Sequence, residues 1–431
     1  MIPDSEFQER RIKLGNMLGK GLYILPSYPE RLFSNDTFHP YRQQTELYYF
    51  TGITEPETVA VLENDGEKLV YTLFIRDRDP VREVYDGVRF DIETAKSKFM
   101  ADEVEYMDQF PSKIFELLQR NQKVCYLDDQ HPDIDNVIQE NIKLAKNSRA
   151  RIGTGPVLVY DPTDDLHEIR VQKSDTEIEL LRTAAKISAN AIKVAIQKTK
   201  DVNYEYEIQS IIEGEFRKNG AELPAYGSIC AGGKNAVVLH YMKNSDSLHP
   251  NELLLVDAGA QYKYYSSDIT RTWPISGKFT ETQSNLYSTV LEVQKSCIDM
   301  IEPDISFGDV TRKSDEMLVE ALIKLELLEG EVDKILEEGS HRRFIRHGLG
   351  HWVGIDVHDT SRYSILSNNL PIGSYLTIEP GLYIPGDNDI PEHLRNIGIR
   401  IEDDILVTEK GHEVLTKDVA KEISEIEKLM S

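Results

Sequence analysis

Cysteine is scarce: three residues in 431, Cys125, Cys230 and Cys297, far apart and odd in number. That excludes a disulfide framework and a Cys-x-x-Cys metal site. Positive charge is also short, with 49 Lys and Arg against 74 Asp and Glu, for a net charge of −25. A surface so acidic, with no basic stripe to offset it, repels phosphate backbones and argues against nucleic-acid binding. The excess acid serves solubility as readily as any steering of ligands. No run approaches twenty uninterrupted apolar residues, and MIPDSEFQERRIKLGNML lacks the apolar core of an export signal. The expectation is a reduced, soluble, cytoplasmic protein with no membrane partner. No HExxH occurs, which removes the helix-borne zinc protease arrangement.

What is present is a globular composition, 40% apolar and 29% charged, on a chain long enough for two or three domains. The first part alternates strand-like runs (GLYILP, ETVAVLE, KLVYTLFI) with helical ones (111–120, 133–147), an α/β pattern. A boundary falls between Asp165 and Lys173, giving domains 1–168 and 169–431. The second part opens on a capping box, Ser174 to Glu177, before a helix. Further helices are predicted from Tyr204 to Lys218, from Thr280 to about Met300, and from Phe307 to about Leu328. A terminal helix over KDVAKEISEIEKLM would dock Val419, Ile423, Ile426 and Met430. Strand-rich segments lie between, so helices outside a largely antiparallel sheet are expected.

Carboxylates recur at matching places in two hairpin patterns. In ELLLVDAGAQYKYYSSDITRTWP, two strand-like runs meet near Tyr262-Lys263, and Asp257 and Asp268 are equidistant from that midpoint. In a tight antiparallel hairpin such residues face each other, Cα atoms roughly 4.5–5.5 Å apart. Two aspartates that close repel unless one takes a proton or a divalent cation lies between them. The alternative is local: Asp257 as a turn residue, Asp268 bonded to the Thr270 hydroxyl. SYLTIEPGLYI and IGIRIEDDILVT repeat the pattern, with Glu379 and Glu402 equidistant from the middle of the intervening loop. This is a weak internal duplication. Glu379, among Leu376, Ile378 and Leu382, is costly to bury unless paired or ligated. Glu402 is followed by Asp403 and Asp404, so a solvated acidic run is the rival reading there. Arg400, two residues earlier on the same strand face, is placed to hold a ligand carboxylate.

RHGLGHWVGIDVHD contains His347, His351 and His358, three of the eleven histidines. Gly348 and Gly350 argue against a helix and for a tight turn entering a strand, WVGIDVHD, with Val353, Ile355 and Val357 on one face and His358 on the other. Four carboxylates plus one imidazole suit a pair of metal ions, and oxygen-rich ligation points to Mn²⁺ or a similar ion.

Together, HGLGHWVGIDVHD, LLLVDAGAQYKYYSSDITRTWP, LTIEPGLYI and IGIRIEDDI resemble the motif set of the pita-bread metallopeptidases, in the branch of aminopeptidase P and prolidase. ELYYFTGITEPETVAVL and RDRDPVREVYDGVRFD resemble that branch's N-terminal domain, so both parts of the chain are covered. The resemblance implies an α/β N-terminal domain and an α+β pita-bread catalytic domain, a pseudo-twofold curved antiparallel sheet with outer helices. It implies two divalent metal ions, Mn²⁺ first, with Co²⁺ or Zn²⁺ as alternatives. Asp257, Asp268, His351, Glu379 and Glu402 would be their ligands, Asp268 and Glu402 bridging, Asp257 completing one site and His351 with Glu379 the other. His240 in VVLHYMKN, His347 and His358 match active-site histidines that contact substrate or stabilise the reaction; Arg400 matches an arginine behind the ligands and Tyr383 a nearby tyrosine.

The implied activity is that of an Xaa-Pro aminopeptidase, hydrolysis of the bond before a penultimate proline by a hydroxide held between the metals. Glu379 would shuttle its proton and His358 would donate to the oxyanion. His347 and Trp352 would shape an apolar site for the proline ring, whose nitrogen has no N–H to offer. The nearest alternative is prolidase, limited to Xaa-Pro dipeptides, with Arg346, Arg362 and Arg395 available to hold the free carboxylate. From another class comes a non-catalytic pita-bread binding protein, disfavoured because all five candidate positions carry ligand-type side chains. The implied partners are proline-containing peptides and further copies of the chain, as a dimer or tetramer.

Overall fold

The run GLYILP forms the strand Gly21–Pro26, buried at every position as the interior strand of a mixed sheet should be. The computed structural model describes residues 2–360 and 369–431. It divides into two compact units, Ile2–Ile169 and Arg170–Ser431. In the first, six strands lie in the order Glu103–Tyr106, Leu69–Ile75, Val59–Asn64, Gly21–Pro26, Lys123–Tyr126, Leu158–Tyr160. The three central strands pair antiparallel and the outer pairings are parallel. Helices Phe110–Arg120 and Pro132–Ile152 put Ile114, Leu118, Ile134 and Ile138 into a core with Leu22 and Val61.

The second unit begins as its sequence indicates. Ser174 Oγ accepts the Glu177 N–H, the Glu177 carboxylate accepts the Ser174 N–H, and helix Asp175–Lys198 follows. Thr280 and Gln283 form the same reciprocal cap on Glu281–Asp299. Helix Phe307–Lys324 stops short of the expected Leu328, because Glu326 turns into the left-handed region (φ 58°). The terminal helix is only Ile423–Leu429, yet Val419, Ile426 and Met430 are buried as expected. No helix among the described residues is long and apolar enough to cross a membrane.

Every strand pairing among the described residues of this unit is antiparallel, and each hairpin is split into two short ladders with the carboxylates at the split. The first consists of Leu253–Asp257 with Thr270–Pro274, then Ala260–Tyr262 with Tyr265–Ser266. The second consists of Tyr375–Ile378 with Asp403–Thr408, then Gly381–Ile384 with Ile397–Arg400. Its register pairs Ile378 with Asp403 and Gly381 with Arg400, so Glu379 comes opposite Glu402, as the midpoint argument requires.

The first hairpin departs from that argument. Its two-residue turn is Lys263-Tyr264, both at positive φ (49° and 73°), a pair suited to the twist of a hairpin. Tyr262 pairs with Tyr265, so the midpoint lies one residue later than expected and Asp257 pairs with Thr270. Asp268 is therefore diagonal to Asp257 rather than opposite. Moving the midpoint by one moves each partner by two, and a shift of two keeps a side chain on its face. Both aspartates still point the same way. At the split, Gly259 lies so close to the Ser267 carbonyl that a Cβ there would collide with it.

The hairpins meet edge to edge. The Glu402 N–H donates to the Thr270 carbonyl at 3.0 Å, and the Thr272 hydroxyl donates to the Arg400 carbonyl at 3.0 Å. Behind them Leu254, Trp273, Tyr287, Leu376 and Ile399 belong to one core with the helices.

Candidate active site

A cavity of about 480 Å³ opens where the two hairpins split. Asp257 and Asp268 enter from the first, Glu379, Arg400 and Glu402 from the second, and His347, His351 and His358 from the glycine-rich segment. His240, Leu239 and Met242 form a wall contributed by a loop, and Tyr226 and Ile229 complete it. The ligand-type atoms of Asp268, His351 and Glu402 all lie within 4.8 Å of one another. His351 Nε2 is 3.5 Å from the Asp268 carboxylate and 3.4 Å from that of Glu379.

Each carboxylate is held from behind. Arg400 Nη2 donates to Asp257 Oδ2 at 2.5 Å, and its Nε donates to the Thr270 hydroxyl at 3.0 Å. That hydroxyl donates in turn to Glu402 Oε2 at 2.7 Å. The local alternative, Asp268 bonded to Thr270, is thus not what forms. Thr377 donates to Glu379 Oε1 at 3.2 Å and accepts the His351 N–H at 3.0 Å, tying ligand-type residues of two segments to one side chain. Asp404 accepts the backbone N–H of Asp268 at 3.0 Å and the Ser267 hydroxyl at 2.8 Å.

The acidic run is not solvated. Asp403 and Asp404 are both fully buried; Arg271 and Lys421 bind Asp403 at 2.6 and 2.7 Å. Sequence reasoning also missed Tyr226, whose hydroxyl lies 2.5 Å from Asp257 Oδ1 and in contact with Asp268 Oδ1. Nothing in the surrounding PAYGS announces it. Burial and the neighbouring aspartates push its pKa well up, so it remains a phenol.

The electrostatics favour a cationic occupant. Burial pushes Glu402 well above the usual carboxylate range, and the charges of Asp268 and Glu379 add to it. Burial likewise raises Glu379, to about 7, and Asp257. Asp268 is also buried, but the His351 hydrogen bond and charge outweigh this and hold it low. His351 is raised to about 9 because Asp268 and Glu379 overcome its own desolvation. Four carboxylates with one arginine and one imidazole among them carry more negative charge than they can share. The donors are all oxygen or imidazole nitrogen, with no thiolate, a set that suits divalent metal ions.

His347 occupies both ring nitrogens. Arg400 Nη1 donates to the Tyr383 oxygen at 2.7 Å, so the Tyr383 hydroxyl is free to donate to His347 Nε2 at 2.7 Å; His347 Nδ1 then donates to the Gly348 carbonyl at 2.8 Å. Burial and the Arg400 charge lower its pKa to about 4, which agrees with a neutral ring. His347 therefore offers the cavity its ring rather than a hydrogen bond, and Tyr383, fully buried, stands behind it. Burial and the His351 charge hold His358 below its ordinary value; the two rings are 4.4 Å apart.

Two expectations need correction. Trp352 does not line the cavity; it is 3% exposed and packs in the main core. WVGIDVHD is not a strand: beyond one bridge from Trp352 to Leu376 it is a series of bends. The reason is Asp359, whose N–H reaches the Trp352 carbonyl at 3.0 Å and whose carboxylate packs where a Cβ on Gly354 would sit. Arg170 and Lys173 fix that carboxylate at 2.5 and 2.6 Å. Of the arginines considered for a free carboxylate, Arg346 donates to the carbonyls of Arg343 and Val237, and Arg395 to those of Ile390 and Asn388. Neither lines the cavity, and Arg362 lies outside the described residues.

A hairpin-borne carboxylate cluster with an adjoining histidine, on an antiparallel scaffold, is a site suited to divalent metal, and sequence comparison gives its class. The model of metallopeptidase family M24 matches residues 179–409, and that of the aminopeptidase P N-terminal domain matches residues 7–126. The chain belongs to metallopeptidase family M24, with an α/β N-terminal domain and a pita-bread catalytic domain. It is 39% identical over 433 residues to the Xaa-Pro aminopeptidase of Escherichia coli K12, spanning 100% of this chain and 98% of that one. It is 36% identical to the Xaa-Pro aminopeptidase of Haemophilus influenzae, again over 100% and 98%. A structure of zinc-substituted E. coli aminopeptidase P in complex with product superposes with a TM-score of 0.96, at 37% identity, over 100% of this chain and 98% of that one.

Proposed function

We propose that this chain is a metal-dependent Xaa-Pro aminopeptidase whose cavity holds two divalent metal ions, Mn²⁺ first, with Co²⁺ or Zn²⁺ as alternatives. The observation that carries the metal reading is the convergence of four largely buried carboxylates and His351 with too little positive charge to balance them. Asp257, Asp268, His351, Glu379 and Glu402 would hold the ions. When bound, such ions supply an activated water near neutral pH and polarise the scissile carbonyl.

The remaining chemistry belongs to the chain. Glu379, whose carboxylate faces the cavity, would take a proton from the attacking water and return it to the prolyl nitrogen as that nitrogen leaves. His358, which lines the cavity, can donate its N–H to the carbonyl oxygen as charge develops there. Ile229, Leu239, Val357 and the His347 ring give the proline ring an apolar wall in place of Trp352. His240, on the loop wall, contacts the peptide. Arg400 is a positioning residue that aligns Asp257 directly and Glu402 through Thr270.

With Arg346 and Arg395 committed to backbone carbonyls, a strict dipeptidase lacks two of its three candidate carboxylate holders. We assign a cytoplasmic location and a dimer or tetramer to the same reading. The test is hydrolysis of Xaa-Pro and Xaa-Pro-Yaa by Mn²⁺-loaded and chelated protein. Metal-dependent release of the first residue from the tripeptide is expected. Cleavage of the dipeptide alone would replace the reading with prolidase.

A further inference from the structure

The wall of the cavity that carries Leu239, His240 and Met242 has little core of its own. Val238, His240 and Met242 are exposed, and the segment after the short turn Gly233–Val237 has no regular structure up to Ser245. Leu239 and Tyr241 are only partly buried, against a small cluster of Ile229, Ala231, Ala236, Leu255 and Tyr383. His240 makes no hydrogen bond of its own among the described residues. Something else must hold this loop in place.

We propose that Glu205 is the positioning residue that holds it and, through it, His240. Glu205 is the first residue of helix Glu205–Lys218 and is fully buried. Its Oε1 accepts the Gly232 N–H at 2.8 Å and the Asn235 amide at 2.9 Å; its Oε2 accepts the Tyr241 hydroxyl at 2.7 Å and the Asp246 N–H at 2.9 Å. The four donors bracket the loop: Gly232 ends the strand before it, Asn235 lies in the short turn that opens it, Asp246 follows it and Tyr241 stands next to His240. Two donors per oxygen is close to what a carboxylate can take, and no lysine or arginine pairs with it among the described residues. A buried carboxylate without a cation is tolerated only when its oxygens are satisfied in this way, so the loop and the charge stabilise one another.

The loop also closes on the helix that bears Glu205. The Glu205 N–H donates to the Asp246 carbonyl at 3.1 Å, and the Leu248 N–H donates to the Asn203 carbonyl at 2.8 Å. Glu205 lines no part of the cavity and acts only through what it holds. The Met242 methyl lies directly over Gly227, where no Cβ would fit, and so reports on the loop's position.

The inference rests on His240 contacting the peptide, and it is tested by two readouts. Glu205→Gln turns one acceptor oxygen into a donor facing donors. Tyr241→Phe removes only the bond beside His240 and serves where Glu205→Gln does not fold. In full-length protein labelled at the methionine methyls, Met242 assigned through Met242→Leu, each variant should move the Met242 resonance toward its position in unfolded chain. An unmoved Met242 resonance would overturn the proposal whatever the enzyme's activity. In tripeptide kinetics, each variant should lower kcat/KM by about 10- to 100-fold with bound metal unchanged. In a His240→Ala background the same changes should cost less than about 2-fold, because the residue being positioned is gone. Costs that multiply in the double variant would show that Glu205 does not act through His240. A shifted Met242 resonance with wild-type chain inert toward the tripeptide would instead keep the anchoring role and sink the peptidase reading.

Discussion

The two hairpins of the catalytic domain do the same job by different means. The second, joined by the long segment between Ile384 and Ile397, brings Glu379 and Glu402 face to face. The first, closed by the tight Lys263-Tyr264 turn, sets Asp257 and Asp268 on a diagonal, with the Tyr226 hydroxyl between them. A register that counts in pairs tolerates a displaced midpoint so long as the displacement preserves the face. What the site requires is four carboxylates on one surface, and a direct or a diagonal pair satisfies it equally.

The strongest way to break this equivalence is to remove one carboxylate from each hairpin. Asp268→Asn and Glu402→Gln should each lose metal and activity together, by more than the roughly 10- to 100-fold typical of groups standing behind a metal ligand. Metal analysis beside kinetics decides it, and either variant at full activity with its metal retained would end the assignment of a shared site.

The segment between the hairpins comes next. Asp359→Asn takes the carboxylate charge from the buried Lys173 and one of the two carboxylates bound to the buried Arg170, which keeps Asp356 at 2.8 Å, and should destabilise the domain by about 3–5 kcal/mol. Arg170 and Lys173 hold the Asp359 carboxyl well below the usual range, against its burial. Its folded value is thus depressed, so its contribution is present above the ordinary carboxylate pKa and is lost as pH falls through the depressed value. Denaturant titrations between about pH 5 and pH 2 should show a steeper acid loss for wild type than for the variant.

Smaller effects distinguish the two splits. Gly259→Ala drives a Cβ into the Ser267 carbonyl and should cost about 1–3 kcal/mol, with weaker metal binding, since the aspartates on either side must part. The second hairpin has Pro380 within its split, one residue after Glu379, and Pro380→Ala should cost only about 0.4–1 kcal/mol, through the freedom it gives the unfolded chain. Equal melting shifts for the two would show that the first split is not specially tight.

Legibility followed range. The capping boxes at Ser174 and Thr280 appear where four consecutive residues spell them. The two-carboxylate hairpins were legible because alternation and midpoint are local. Tyr226 was not, since its partners lie 31 and 42 residues away. The run Asp403-Asp404 was misleading because Asp403 is answered by Arg271 and Lys421 and Asp404 accepts the Asp268 N–H, none of them neighbours in sequence. Trp352 was misplaced for the same reason: a glycine-rich segment gives no period by which to tell its inner face from its outer one.

By itself the sequence determined the inventory of this site and its polarity: four acids on hairpins, an imidazole on a segment whose glycines let it bend, and an excess of acidic side chains. Side-chain alternation and capping depend on a few adjacent residues, so they can be read before folding. Only the tertiary structure decided which acids meet, that His347 is neutral with both nitrogens used, and that one buried carboxylate, Glu205, gathers a whole loop. Those outcomes depend on burial and on hydrogen bonds that reach as far as Arg400 to Asp257, 143 residues apart, and desolvation has no value until the chain around a group has closed.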